Sequence, residues 1–343
     1  DVRRRRHRQR DDHRGVVGHM DRPVADDKVI GRESPAPRQS WVDVARGVGI
    51  ILVAYGHILR GHFVVDPPTW VTSQATLIYA FHMPLFFILS GLFLWSSLGK
   101  ADFLQSRWKQ LIYPYFLWSL VTMALESALS HYVNSPLDLH DALLIPFVPF
   151  EQFWFLYALL VCQLVAFMAY PRKWLLLPIA VAGLLTISVI DGGWIVIRSF
   201  LFLPFVLLGV FGKSAFDRLS HTLPSRQLQV AVGAWTIFAA LWISGIEGMT
   251  LLLGASGSIG TIALAMLVAR STFLSALGRA SLAIYLLHTI FSAGARIVLA
   301  RLGLPPTSIL SVMAALIAGI FVPYVIWEWA RRTNRTSVLG LGN

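Results

Sequence analysis

Arg46 and His57 stand eleven positions apart in VARGVGIILVAYGH, with only apolar or small residues and one tyrosine between them. An imidazole is the side chain best suited to take and give a proton near neutral pH. A guanidinium stays charged and holds anions such as phosphates. On a helix rising about 1.5 Å per residue, eleven residues span about 16 Å. If this helix crosses a bilayer, Arg46 marks one end and His57 lies beyond the midplane. His82, in YAFHMPLFFILSGLF, stands near the start of the next apolar run. That run returns in the opposite direction, so His82 and His57 reach similar depth and two imidazoles can face one polar pocket. Ionisable groups inside a membrane are costly and usually face a bundle interior or a wet cavity. The plainer account of each histidine is a hydrogen bond to a neighbouring helix.

Arg46 also has a plainer account. An arginine at the end of a span snorkels and anchors, and Asp43, three residues earlier, can pair with it. The functional account is an anion contact, joined from the same side by Arg107, Lys109 and Arg279. Such a cluster suits phosphates, but it is equally ordinary loop charge. His288, in SLAIYLLHTIF, is a polar residue midway along a late apolar run. Trp154, in EQFWFLY, can stack on a sugar face, or join Trp70 and Trp194 in an aromatic belt at the membrane surface. Arg198 and Arg296 can pair with Glu247, Asp191 or a substrate anion. The single cysteine, Cys162, excludes an intrachain disulfide and a cysteine-cluster metal site. No Ser/His/Asp arrangement or metal-ligand spacing competes, and His140 and Asp141 are adjacent, hence poorly placed to chelate one ion together.

The elements that must position these residues are helices in lipid. Of the 343 residues 56% are hydrophobic and 14% charged, against about 25% charged in soluble domains. Apolar runs long enough to span recur, without the alternation of a barrel. Ten spans are expected, at about 44–63, 76–97, 109–130, 153–170, 174–190, 194–212, 228–244, 250–269, 280–299 and 309–329. Lys and Arg gather in alternate loops, with Arg301 the dissenter, which places both termini in the cytoplasm. The expected fold is an all-α integral membrane protein, a bundle of about ten transmembrane helices. A disordered basic tail occupies 1–40, the transmembrane domain 41–330 and a cytoplasmic C-terminal tail 331–343. Met20 is a more ordinary start than Asp1, so part of 1–19 is expected to be foreign to the native chain. The formal charge of +11 sits in tails and short loops, not among stacking aromatics. Topology control accounts for it, and nucleic acid is not an expected partner.

WVDVARGVGIILVAYGH, FHMPLFFILSGLFLW, RWKQLIYPYFLW, FWFLYALLV and LGRASLAIYLLHT, in this order, resemble the acyltransferase-3 family of bacterial membrane O-acyltransferases. The first two look most like its fucose 4-O-acetylase branch. The resemblance covers about residues 40–330. It implies transfer of an acyl group, acetyl from acetyl-CoA as donor substrate, to a hydroxyl of an envelope polysaccharide, oligosaccharide or glycolipid sugar in the bacterial cytoplasmic membrane. No permanently bound cofactor and no metal are expected. The family's essential His and Arg map to His57 and Arg46. His57 then acts as general base or briefly carries the acyl group. Arg46, Arg107, Lys109 and Arg279 hold the CoA phosphates, and His82 or a backbone donor meets the oxyanion. Trp154 and His288 are the residues expected at the acceptor. The alternative is a multi-span transporter or exporter, favoured by Pro84, Pro204 and Pro323 within spans and a Gly-rich eighth span. Against it, the two halves of the chain show no repeat.

Overall fold

A computed structural model describes residues 39–63, 67–128, 143–189 and 195–342. The expected tail, apart from Gln39 and Ser40, lies outside the described residues, as do His140, Asp141, Asp191 and Trp194. Among the described residues all regular structure is helical. The chain runs through α1 (Ser40–His62), α2 (Thr69–Leu98), α3 (Phe103–Arg107), a π turn (Trp108–Ile112) and α4 (Tyr113–Ala128). A 3-10 turn (Glu151–Phe153) opens α5 (Trp154–Ala169), and a second (Lys173–Leu175) opens α6 (Leu176–Val189). Then come α7 (Ile195–Ser199), α8 (Leu203–Ser220), α9 (Pro224–Ser244), α10 (Thr250–Leu267), α11 (Thr272–Arg279), α12 (Ser281–Arg301) and α13 (Ile309–Arg332).

Eight runs among the described residues are long and apolar enough to cross a membrane: α1, α2, 151–169, 195–220, α9, α10, α12 and α13. The third and fifth expected spans are helical through their described residues: α3, the π turn and α4 follow one another without a break, and Lys173–Val189 is one apolar helix that opens on a 3-10 turn. The outward faces are apolar. Met168, Ile243 and Ile309 are each more than four-fifths exposed. Exposed apolar surface on this scale is what lipid, not water, tolerates.

Local signals start and stop the helices. Pro224 sits in the first turn of α9, where its missing N–H costs nothing, and left-handed Gly245 (φ 61°) ends that helix. Ser271 and Ser308 cap α11 and α13, their side chains accepting from the N–H of Leu274 and of Ser311. Pro84 lies inside α2, and Gly254 of α10 leaves room for its ring; a Cβ there would stand 2.9 Å from Pro84 Cγ.

With no hydrophobic force between helices in lipid, small residues let backbones meet. α1 crosses α11 at Gly47 and Gly278. A Cβ on Gly278 would lie 2.6 Å from the Asp43 carbonyl carbon, and one on Gly47 would lie 2.9 Å from that of Leu274. α2 crosses α8 at Gly91 and Gly209. The Gly-rich α10 turns Gly254, Gly257 and Gly260 toward Phe205, Phe81 and Trp235, and its Ser258 Oγ donates to Phe81 O at 3.1 Å.

The first turn of α1 and the C-terminal residues share one end of this bundle. Gln39 Nε2 donates to Asp217 Oδ1 at the end of α8, 3.0 Å away. Tyr113 OH donates to Val338 O, Trp118 Nε1 donates to Leu339 O at 2.9 Å, and Leu341 is buried. Residues 338–342 thus fold back onto α4 and the start of α12 rather than leaving the bundle.

Candidate active site

α1, α2 and α12 bring three imidazoles together. His57, half-buried on α1, stands 5.1 Å from His288 of α12, ring centre to ring centre, at 68°. Tyr79 of α2 lies between His57, at 6.1 Å, and His82, at 4.7 Å and edge-on. The Arg60 guanidinium covers the Tyr79 ring at 3.7 Å. Expectation had His57 and His82 facing one pocket; the ring nearest His57 is that of His288, and Tyr79 packs against both His57 and His82.

Two of the rings are held by their own helices. His82 Nδ1 lies 2.6 Å from Ile78 O. His288 Nδ1 lies 2.7 Å from Tyr285 O and 3.1 Å from Ile284 O. A carbonyl only accepts, so in both rings the proton belongs on Nδ1 and the lone pair on Nε2. His288 is fully buried, and its Nε2 has no hydrogen-bond partner. One turn earlier, Tyr285 OH donates to Gln152 O, and Gln152 Nε2 donates to Thr289 Oγ1 at 2.8 Å. This clasp fixes α12 against the turn that opens α5 and so fixes the depth of His288.

The expected cationic residues lie at the end where α1 begins. Arg46 Nη1 is 3.8 Å from Asp43 Oδ1, with a third of the arginine side chain exposed and the aspartate buried. Arg279 is exposed, its Nη1 donating to Ser275 Oγ at 2.9 Å. It follows Gly278, which packs on the Asp43 backbone, so Arg46 and Arg279 flank one helix crossing. Lys109 is exposed on the π turn. Arg107 turns inward. Its Nη1 donates to Gln163 Oε1 at 2.8 Å and its Nη2 to Ser106 Oγ at 3.2 Å, while Gln163 Nε2 donates to Ser90 Oγ at 3.1 Å. It thereby ties α3 to α5 and α2. Trp154 packs half-buried on Phe202, 5.2 Å between ring centres. Trp70 is exposed against Phe63. Arg296 donates to Gly61 O. Cys162 is buried.

Tyr79 and Arg60 were not anticipated, although helical spacing points to both. Tyr79 precedes His82 by three residues and Arg60 follows His57 by three, which puts each on its histidine's face. The Gln152–Tyr285 clasp has no such signal, since its partners are 133 residues apart. Among the described residues no three His, Cys, Asp or Glu side chains are grouped to hold a metal ion. The arrangement can receive a proton on a half-buried imidazole lined by polar rings, on the helix whose other end carries an arginine.

Comparison with known proteins agrees with this chemistry. The family model of an acyltransferase domain, acyltransferase-3, matches residues 39–328. The chain is similar to Nodulation protein NolL of Sinorhizobium fredii, 26% identical over 219 residues, or 58% of this chain and 56% of that protein. It is also similar to Nodulation protein NolL of Mesorhizobium japonicum, 32% identical over 102 residues, or 28% and 27%. The matched stretch thus spans little more than half the length of the first relative and about a quarter of the second. No solved structure matches.

Proposed function

The chain belongs to the acyltransferase-3 family, and from that premise we propose that this membrane acyltransferase moves acetyl from acetyl-CoA to a hydroxyl of an envelope polysaccharide, oligosaccharide or glycolipid sugar. The half-buried His57, which faces His288 and Tyr79 and shares α1 with Arg46, is the observation that carries the reading. In this scheme ten helical passes cross the bacterial cytoplasmic membrane with both termini inside, as the basic loops require. The donor approaches from the cytoplasm. Arg46, Arg279 and Lys109 meet its phosphates, with Arg107 behind them bracing the bundle, and the pantetheine arm enters beside α1.

An unprotonated ring nitrogen of His57 takes the proton of the sugar hydroxyl as its oxygen attacks the thioester carbonyl carbon. The carbonyl oxygen becomes an oxyanion, which a backbone N–H stabilises; His82, with its Nδ1–H on Ile78 O and a lone pair on Nε2, has no second N–H to offer it. The C–S bond then breaks, and the CoA thiolate leaves with the proton from the His57 imidazolium. In the variant scheme His57 itself is acylated and passes the group on. Trp154 and His288 belong to the acceptor side of the site.

His57→Ala, expressed at normal level, tests the reading. Acyl transfer predicts loss of the glycan O-acetyl signal in mass spectrometry, with Cys162 still shielded from thiol reagents as a mark of the intact fold. Altered uptake or export with acetylation intact would instead establish the transporter reading.

A further inference from the structure

His288 carries a feature that substrate contact does not explain. It is fully buried, its Nδ1 faces the carbonyls of Ile284 and Tyr285, and its Nε2 lone pair is unpartnered. A buried acceptor left unpaired is costly, and such groups are uncommon in folded proteins. The ring facing it is His57. An imidazole nitrogen lies about 1.1 Å from its ring centre, so a linear N–H···N bond of about 2.9 Å sets two imidazole centres about 5.1 Å apart. The observed separation is 5.1 Å. What the pair lacks is alignment. The terminal torsion of histidine is broad, and catalytic hydrogen bonds tighten when substrate binds.

We propose that His288 is a positioning residue for His57: its Nε2 accepts the N–H of one His57 ring nitrogen and thereby leaves the lone pair of the other nitrogen for the acceptor hydroxyl. This inference rests on His57 acting as the base or acyl carrier, and it moves His288 from the acceptor to the ring behind the base. The Tyr285 and Ile284 carbonyls are essential to it. By holding the His288 proton on Nδ1 they prevent the ring from offering His57 a second N–H. They do for His288 what His288 does for His57, and the Gln152 clasp on Tyr285 and Thr289 keeps that turn in place. In the forward step, the His57 imidazolium donates one N–H to His288 and keeps the proton taken from the sugar on its other nitrogen. That second proton goes to the leaving thiolate, so His288 neither gains nor loses one.

The test uses the full chain in nanodiscs with 15N-labelled histidine, the His57 signal being the one lost in His57→Ala. His288→Gln keeps an acceptor oxygen near the Nε2 position; His288→Leu removes it. The expected result is a single His57 tautomer in the parent and in His288→Gln, and a mixture in His288→Leu. Wrong-tautomer populations should lower kcat for acetyl transfer roughly 100-fold in His288→Leu, with KM for the donor unchanged and His288→Gln recovering most of the rate. Identical His57 tautomer populations in all three proteins would overturn the proposal, as would equal loss of kcat in His288→Gln and His288→Leu. The tautomer measurement needs no turnover. A parent protein that transfers no acetyl therefore refutes the proposed function separately, while the nitrogen spectra still judge the ring pair.

Discussion

Gly278→Ala is the sharpest test of what holds α1 in register. The new methyl carbon would stand 2.6 Å from the Asp43 carbonyl carbon and 3.1 Å from its Cα, where carbon atoms prefer about 3.5–4.0 Å. The Asp43 carbonyl oxygen lies closer still, so the two helices must part by more than about 1 Å. The obstacle is backbone, so no side chain can swing aside. Overpacking of this kind costs about 1–3 kcal/mol, and a displacement of about 1 Å at a catalytic group can lower turnover roughly 100-fold. Gly233 provides the contrast. It lies within α9, and a Cβ there meets nothing within 4 Å. Gly233→Ala should stabilise the protein by about 0.5–1 kcal/mol through helix propensity alone. Cys162 supplies the assay, being the only cysteine of the chain and buried. A thiol-reactive fluorophore reports its exposure during a thermal ramp in detergent. Gly278→Ala should expose it at lower temperature than the parent and Gly233→Ala at higher. A Gly278→Ala protein that unfolds with the parent and transfers acetyl at the parent rate would refute the tight-crossing argument.

Arg107→Met removes the donor to Gln163 and leaves a partly buried amide oxygen unpaired, which should cost about 1–3 kcal/mol and lower the Cys162 exposure temperature. Because Arg107 faces the bundle, KM for acetyl-CoA should change little in that variant, whereas Arg46→Met should raise it; equal KM effects from the two would place Arg107 among the donor contacts. Trp118→Phe keeps an aromatic ring but loses the 2.9 Å bond to Leu339 O, worth about 1 kcal/mol, and should make residues 338–342 more open to proteolysis than in the parent.

Much of this was legible in the sequence because lipid imposes few solutions. Apolar length marks the helices, and the Arg46–His57 spacing puts two functional groups on one of them before any coordinate is known. Spans 1 and 2 must be neighbours, so His82 at the depth of His57 followed as well. His288 shows where such reading stops. Its meeting with His57 depends on α12 packing against α1, and no local pattern encodes which distant helices touch. Hydropathy could rate His288 as a buried polar residue but could not supply its partner. Arg107 illustrates a different limit. Charge counting treats it and Lys109 alike, but side chains two residues apart on a helix point to nearly opposite sides, so one faces the bundle while the other faces out.

The two ends of α1 answer to different constraints, and this separates position from chemistry. At one end Gly47 and Gly278 let backbones touch, so the height of Arg46 is set by sterics that no side-chain rotation can relax. At the other end His57 meets rings whose hydrogen bonds run to their own helices, so its surroundings are fixed by α2 and α12 whatever α1 does. A rigid rod between two independently anchored ends holds Arg46 and His57 at one spacing. A disturbance at the glycine crossing must move both ends together, while a change at His288 alters the ring it faces and leaves Arg46 where it was. Coupled loss in the first case and isolated loss in the second are what a single helix with two jobs requires.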